Sequence, residues 1–348
     1  MAVVRRLPSG AICHKRLDQG VHKSEVRRCC FDRYRSLVNT RELLESSKVR
    51  FMVGKGGVGK TTMTAVFGLA ASSLGLKVQL IELEGRSELA RCFDFNHALT
   101  YEPVRLFAHE SGGTVDARSL RSDEALVEWL GEHGFGRLRS RLRRSGALEI
   151  IATAVPGIRD VLILGKIKAL ARDAATDVIL VDSPATGHSL SLLASPANLM
   201  DAARSGPIRR QAEEVAAMLR DDSRSSVTLV TLAGDLPVTE AIEAAYDLED
   251  RTDVALTNII VNQFSPRRDL LRSNLNPRDT ETLASDVVQS LEMARWFTLA
   301  RNDEEERQRV RLSRELPLDQ IVIHHLDATV IGLNQLIDLA SEFLAATS

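Results

Sequence analysis

Gly54-Lys55-Gly56-Gly57-Val58-Gly59-Lys60-Thr61-Thr62 lies between a β-branched apolar run, Val49 to Val53, and a stretch of helical period, Lys60 to Leu74. It fits Gly-x-x-x-x-Gly-Lys-[Ser/Thr], and strand, glycine loop, helix is the context that this pattern requires. The residue types follow from the chemistry. Glycines let the backbone wrap so that its N–H groups and the helix N-terminus face phosphate oxygens, where side chains would block the approach. Gly54, Gly56, Gly57, Val58 and Gly59 are therefore read as a nucleotide cradle. In that reading Lys60 reaches the β- and γ-phosphates of ATP, the Thr61 hydroxyl takes one position on Mg2+, and Thr62 hydrogen-bonds the inner phosphate. Lys55 is the unusual member, because its side chain starts near the phosphates but points away from its own nucleotide. A cation placed so reaches a nucleotide in a neighbouring subunit and meets the charge developing on the γ-phosphate, as an arginine finger does. The plainer reading is a solvated lysine on the loop rim.

Outward from the loop, Val78 to Glu82 is a second short strand, so the segment is a βαβ unit. Further apolar strands at Val178 to Val181, Val227 to Leu232 and Leu256 to Val261 alternate with amphipathic stretches. This predicts an α/β fold, a doubly wound and mostly parallel sheet of the P-loop NTPase kind with a helical elaboration. Asp182 then falls at the carboxyl end of a strand beside the loop, where a carboxylate holds a Mg2+ water; a strand-ending turn residue is the alternative. Pro184 to Gly187 is a loop able to sense the γ-phosphate. Glu84, past the end of the second strand, is placed to orient the attacking water, with Glu82 nearer the strand interior. Asn262 offers a donor and an acceptor matching adenine N6 and N7, and is equally a common residue for closing a strand. His188 is assigned no chemistry.

The 348 residues suit one large or two medium domains. Residues 1–46 are read as a basic, poorly ordered tail and 47–348 as a single ATPase domain, with the helical elaboration at about 110–175, from Asp123 to Ile150 and Ile158 to Arg172. Residues 1–50 carry 12 Lys/Arg against 5 Asp/Glu, although the whole chain has a net charge of −2. The tail is an interaction arm, a targeting segment, or an extension from a misassigned start. The run Asp303 to Glu306 reads as a solvated helix face, and Ala328 to Ala346 as a closing amphipathic helix. Neither the charge nor the 4% aromatic content favours a nucleic-acid partner. Cys13, Cys29, Cys30 and Cys92 form neither a Cys-x-x-Cys pair nor a disulfide framework, which fits a reducing cytoplasm. No run approaches the roughly 18 apolar residues of a membrane span, so no stable membrane insertion is expected.

The Lys55-bearing loop, Asp182-Ser183-Pro184-Ala185-Thr186-Gly187-His188-Ser189-Leu190 and Val261-Asn262-Gln263 together resemble the ArsA-like anion-transporting ATPases, which include the tail-anchored-protein targeting ATPases. The resemblance runs from about Lys48 to the C-terminus. Val155-Pro156-Gly157-Ile158-Arg159-Asp160 resembles the family's Pro-Gly turn that opens a helix, and Leu316-Pro317 its late loop over the adenine, which makes Pro317 a cofactor-contact candidate. The resemblance implies an ATP-dependent dimer, as a homodimer or a heterodimer with a paralogue, and switch loops at Glu84 and Asp182 that relay nucleotide state to a helical surface for a protein client. The chain also departs from the family. Glu84-Gly85-Arg86 stands where the first switch usually reads Asp-Pro-Ala. The clustered cysteines and tandem halves of arsenite pumps and the zinc Cys-x-x-Cys of the eukaryotic targeting factors are absent from the sequence. It is more similar to short actinobacterial-type members that occur as paralogous pairs.

The leading expectation is a Mg-dependent ATPase whose ATP-driven dimer rearrangement controls a bound client. The alternatives are a weakly hydrolysing, nucleotide-gated regulatory subunit paired with a paralogue, and a positioning ATPase of the MinD or ParA type. The last needs a membrane-binding helix or a basic DNA face. Ile331 to Ser348 carries Asp338 and Glu342 with no Lys or Arg, which argues against it.

Overall fold

The computed structural model describes residues 4–6, 12–14, 40–85, 88–132, 157–265, 269–273 and 283–347. Its strands, in chain order, are β1 (Val4–Arg6), β2 (Ile12–His14), β3 (Val49–Val53), β4 (Lys77–Leu83), β5 (Val104–Ala108), β6 (Thr114–Leu120), β7 (Val178–Asp182), β8 (Ser225–Leu232), β9 (Ala255–Phe264) and β10 (Asp319–His324). The helices are α1 (Thr40–Glu45), α2 (Lys60–Ser73), α3 (Glu88–Cys92), α4 (Ser122–Glu132), α5 (Ile158–Leu170), α6 (Thr186–Ala202), α7 (Pro207–Arg220), α8 (Asp235–Arg251), α9 (Ser285–Glu315) and α10 (Leu333–Thr347). β1 and β2 pair with each other; the other eight form one sheet in the order β10-β9-β8-β3-β7-β4-β6-β5. All neighbours in that sheet are parallel except the edge strand β5, which runs antiparallel to β6.

The central strands β3, β7 and β8 are buried along nearly their whole length because both faces of the sheet are covered. Successive side chains alternate between two cores. Phe51, Val181, Leu229 and Val261 point to one core, filled by α5, α6, α7 and α8. Met52, Leu180, Val230 and Ile260 point to the other, filled by α1, α2 and α10. The doubly wound parallel sheet expected from the sequence is thus present, with β3 at its middle.

Arg50 is fully buried at the amino end of β3, the end opposite the glycine loop. Its guanidinium donates to Thr228 Oγ1 (3.0 Å), Thr257 Oγ1 (3.0 Å), Asn258 Oδ1 (3.2 Å), Ser46 Oγ (2.7 Å) and the Leu43 carbonyl. Burial lowers its pKa to about 10, so it remains charged at neutral pH with neutral oxygens replacing its hydration. The contacts to Leu43 and Ser46 fasten α1 to the sheet, and Leu43 and Leu44 are buried. Residues 40–46, at the end of the stretch read as a tail, are therefore part of the folded body. The rest of that stretch lies outside the described residues, apart from β1 and β2.

Three further expectations change. The segment expected to be helical from about 110 begins instead with β6, paired in register with β4 from Lys77↔Thr114 to Leu83↔Leu120. Asp116 and Arg118 break up the apolar pattern of that strand, and Asp116 is occupied by an ion pair with Arg105 of β5. α4 and α5 supply helices where they were expected, while 133–150 fall outside the described residues. Second, the sheet does not end with the strand at Leu256 to Val261, because β10 pairs beyond it at the edge. Third, the run Asp303 to Glu306 is not solvated throughout. Glu305 is buried and accepts from the Ser265 backbone N–H (2.7 Å), Ser265 Oγ (2.9 Å) and Arg301 Nε (2.8 Å), pinning α9 to the carboxyl end of β9. Among the described residues no helix is long and apolar enough to cross a membrane.

Arg50→Ala leaves several buried oxygens without a donor and unfastens α1, so the expected loss is about 3 kcal/mol of unfolding free energy. Urea denaturation measures it. A loss under about 1 kcal/mol would mean that the guanidinium contributes little beyond filling space.

Candidate functional site at the carboxyl edge of the sheet

In a doubly wound sheet ligands bind beyond the carboxyl ends of the strands, where the chain turns into helices. β3 ends here at Val53, flanked by β7, which ends at Asp182, and by β8. The loop leaves β3 so close to β8 that a Cβ on Gly54 would stand 2.2 Å from the Val230 carbonyl oxygen. At its far end Gly59 has φ 90°, and a Cβ there would meet Asn262 Nδ2 at 2.3 Å. Only glycine fits either position. Gly59 caps α2 without a side-chain hydrogen bond, so the first N–H groups of α2 face the loop cavity and offer an anion its donors.

Side chains complete the cradle. Lys60 is buried and its Nζ donates to the Lys55 carbonyl across the loop (2.9 Å). Thr61 Oγ1 donates to Asp182 Oδ2 (2.7 Å), joining the first turn of α2 to the end of β7. A hydroxyl and a carboxylate side by side are the hard-oxygen donors that Mg2+ takes from proteins, the remaining positions falling to water and phosphate oxygens. Thr62 stands half-buried on the same turn, and Val58 is buried. Asn262 is also buried, at the end of β9, and its Nδ2 donates to the Val58 carbonyl (2.9 Å). The amide that sequence alone left between adenine reader and turn residue thus braces the loop from behind.

Glu84 follows β4 with φ 61°, a left-handed conformation that costs a residue with a Cβ roughly 1–2 kcal/mol. Its N–H donates to the Leu120 carbonyl (3.0 Å) and its side chain is exposed. Across the gap, on the first turn of α5, burial and the neighbouring Glu84 raise the Asp160 pKa, while His188 and Arg159 oppose the rise. The start of α5, the end of β4 and the start of α6 thus share one electrostatic neighbourhood. Glu82 lies inside β4 opposite Asp182, almost fully buried, and accepts from the Leu89 N–H (3.3 Å).

Pro317 does not belong to this edge. β10 runs parallel to β9 with Asp319 opposite Asn258, so Pro317 precedes the strand and sits at the opposite end of the sheet from Asn262. At the usual rise the separation along the strands is about 20 Å. Leu316-Pro317, which resembles the family's late loop over the adenine, instead leads into β10 from the opposite end of the sheet. The segment that leaves β10 at the site edge is His324 to Asp327, held by a hydrogen bond from the His325 N–H to the Phe264 carbonyl (2.8 Å). The sequence also gave no sign of Glu240, on α8, whose Oε1 lies 2.7 Å from Lys55 Nζ. Cys92 is half-buried, and burial foremost, then the carboxylates of Asp182 and Glu88, push its thiol up to about 11. It is a neutral thiol at pH 7, unsuited to bind a soft oxyanion.

Residues 47–205 match the sequence profile of a family described as anion-transporting ATPases. The ATPase BagA of Mycobacterium tuberculosis is 33% identical to this chain over 252 residues, covering 70% of this chain and 72% of that protein. The ATPase GET3A of Arabidopsis thaliana is 27% identical over 161 residues, 44% of this chain and 40% of its own length. The arsenical pump-driving ATPase of Escherichia coli is 28% identical over 200 residues, 57% of this chain and 32% of its own length.

The Asn262 geometry makes a distinguishing expectation. Asn262→Ala removes the brace behind Val58, so affinity for ATP and for GTP should fall together, by about tenfold, the worth of one buried hydrogen bond. Calorimetric titration with both nucleotides checks it. Loss of ATP affinity with GTP unchanged would assign the amide to the base instead.

Proposed function

We propose a mechanism on the premise that this chain belongs to the anion-transporting ATPase family and is a nucleotide-binding ATP hydrolase. The observation that carries it is the junction at the start of α2, where Lys60 spans the loop and Thr61 meets Asp182 in front of uncapped helical N–H groups. The backbone from Gly54 to Gly59 and the α2 N-terminus hold the phosphates by dipole and hydrogen bond. Lys60 neutralises the terminal phosphates, and Thr62 bonds the inner one. Thr61 and Asp182 would hold Mg2+, which would supply positive charge to offset that of the phosphates.

Hydrolysis needs a water aligned with the γ-phosphorus. Water attacks, the bond from the γ-phosphorus to the β,γ-bridging oxygen breaks, and ADP and phosphate leave. Glu84 is the carboxylate that orients this water. It is exposed at the mouth of the site on a strained turn that adjusts when the first switch closes. Lys55 stabilises the transferred charge from the neighbouring subunit, so that turnover follows assembly of a homodimer or of a heterodimer with a paralogue. Residues 47–348 act as one ATPase domain in this scheme, together with α1.

A protein partner reads the nucleotide state through α9. The amino half of α9 exposes Val287, Leu291, Met293, Trp296 and Phe297, apolar surface of the kind that partners cover. Farther along the same helix Glu305 is bonded to Ser265, three residues past Asn262, which ties this surface to the nucleotide edge.

Substitution of the two carboxylates of β4 and its turn tests which of them orients the water. Glu84→Gln should keep ATP affinity and slow steady-state turnover by about 10²-fold, the usual span for a positioned acid or base. Glu82→Gln should lower the melting temperature with a smaller effect on rate, since Glu82 is buried behind the switch. A folded, inactive Glu82→Gln beside a fully active Glu84→Gln would transfer the role to Glu82.

A further inference from the structure

Lys55 is held in its own subunit. Its carbonyl turns into the loop to accept from Lys60 Nζ (2.9 Å), which sends its side chain outward toward α8. There Lys55 Nζ meets Glu240 Oε1 at 2.7 Å. The lysine side chain is 57% exposed and Glu240 only 22%, so the carboxylate is the fixed partner and the ammonium the movable one.

Rigid elements fix Glu240. Pro237 lies one turn before it in α8, and the Pro237 carbonyl accepts from Thr231 Oγ1 (2.9 Å) at the end of β8, locking the helix to the sheet. Arg311 Nη1 holds Asp235 at the start of α8 from the other side (3.0 Å). Glu240, Pro237 and Thr231 line the same narrow recess as Gly54, Lys55 and Thr186. Thr186 begins α6, directly after the loop that follows Asp182. The ion pair therefore stands between the phosphate loop and the second switch, and Lys55 has to leave it before reaching across to another subunit.

We infer that Glu240 is a positioning residue that retains the Lys55 ammonium against α8 of its own subunit and so limits its delivery to a neighbour's nucleotide. This rests on the reading of Lys55 as a cation that acts between subunits. Exposed ion pairs are weak, worth at most about a fivefold shift in an equilibrium. That suits a catch which dimer closure has to release. A tight, buried pair would instead keep the lysine from use.

The test is steady-state ATPase turnover against protein concentration for the unmodified chain, Glu240→Gln, Lys55→Ala and the double variant. It is paired with the rate at which trinitrobenzenesulfonate labels Lys55, read by peptide mass spectrometry. Glu240→Gln should label faster and reach half-maximal turnover at about two- to fivefold lower protein concentration. Its turnover at saturation should be unchanged, and the double variant should be as slow as Lys55→Ala. Faster labelling with an unaltered concentration dependence would overturn the catch while leaving the role of Lys55 intact. A lower saturating turnover in Glu240→Gln would also overturn it, by placing Glu240 in the reaction. Full activity of Lys55→Ala would remove the reading on which the catch rests.

Discussion

The separation between the end of β3 and its neighbours leaves no room for a side chain. Gly54 passes against the Val230 carbonyl of β8, and Gly59 against the Asn262 amide of β9. Because the loop is clamped at both ends by backbone and amide, its curvature follows from the parallel pairing of β3, β8 and β9. The α2 N-terminus consequently points its N–H groups into the cavity, and Lys60 and Thr61 arrive there as the first two residues of a helix whose inner face is locked into the α2-side core. A site built in this way is preorganised, and dipoles that need not reorient at the moment of reaction stabilise charge better than mobile ones.

The same edge is where the proposed relay from the nucleotide to distant surfaces would begin. The strands that end near the loop set residues against it and lead on into other elements. β4 delivers Glu84 in a strained turn, β7 delivers Asp182 and then α6, and β9 delivers Asn262 and, three residues on, the Ser265 that Glu305 of α9 grips. A displacement of the loop by a few tenths of an ångström is felt at Val58, hence at Asn262 and β9, because interiors are close-packed and transmit strain. The long helix α9 buries only Glu305 and Leu312, and its amino half, which exposes Trp296 and Phe297, is attached through Arg295 Nε to the Leu271 carbonyl (2.6 Å).

The central strands and the loop were legible because each satisfies a local rule: an apolar run broken only by Arg50 at Val49 to Val53, an unbroken one at Val178 to Val181, and glycines where the chain bends. β6 was not, because pairing with β4 and β5 stabilises it despite Asp116 and Arg118, and pairing partners far along the chain leave no local trace. Pro317 was misplaced for a related reason. A Leu-Pro step marks a turn but not which end of a strand it serves, and only the register of β10 on β9 decides that. The juxtaposition of Thr61 with Asp182 followed from the βαβ logic, whereas that of Lys55 with Glu240 depends on how α8 packs on β8 and has no spacing signature. Glu305 was hidden in a run of four acids, three of which are solvated or partly so; burial singles it out.

The central claim is that two copies of this chain complete each other's sites through Lys55, and mixing inactive variants tests it most directly. Lys55→Ala retains Lys60 and binds ATP but offers its neighbour no cation; Lys60→Ala retains Lys55 but holds no ATP. Equimolar mixing should restore turnover to about a quarter of the unmodified level, since half of randomly paired dimers are mixed and each has one complete site. If the mixture turns over no faster than the sum of the two variants measured apart, Lys55 does not act between two copies of this chain and the claim fails.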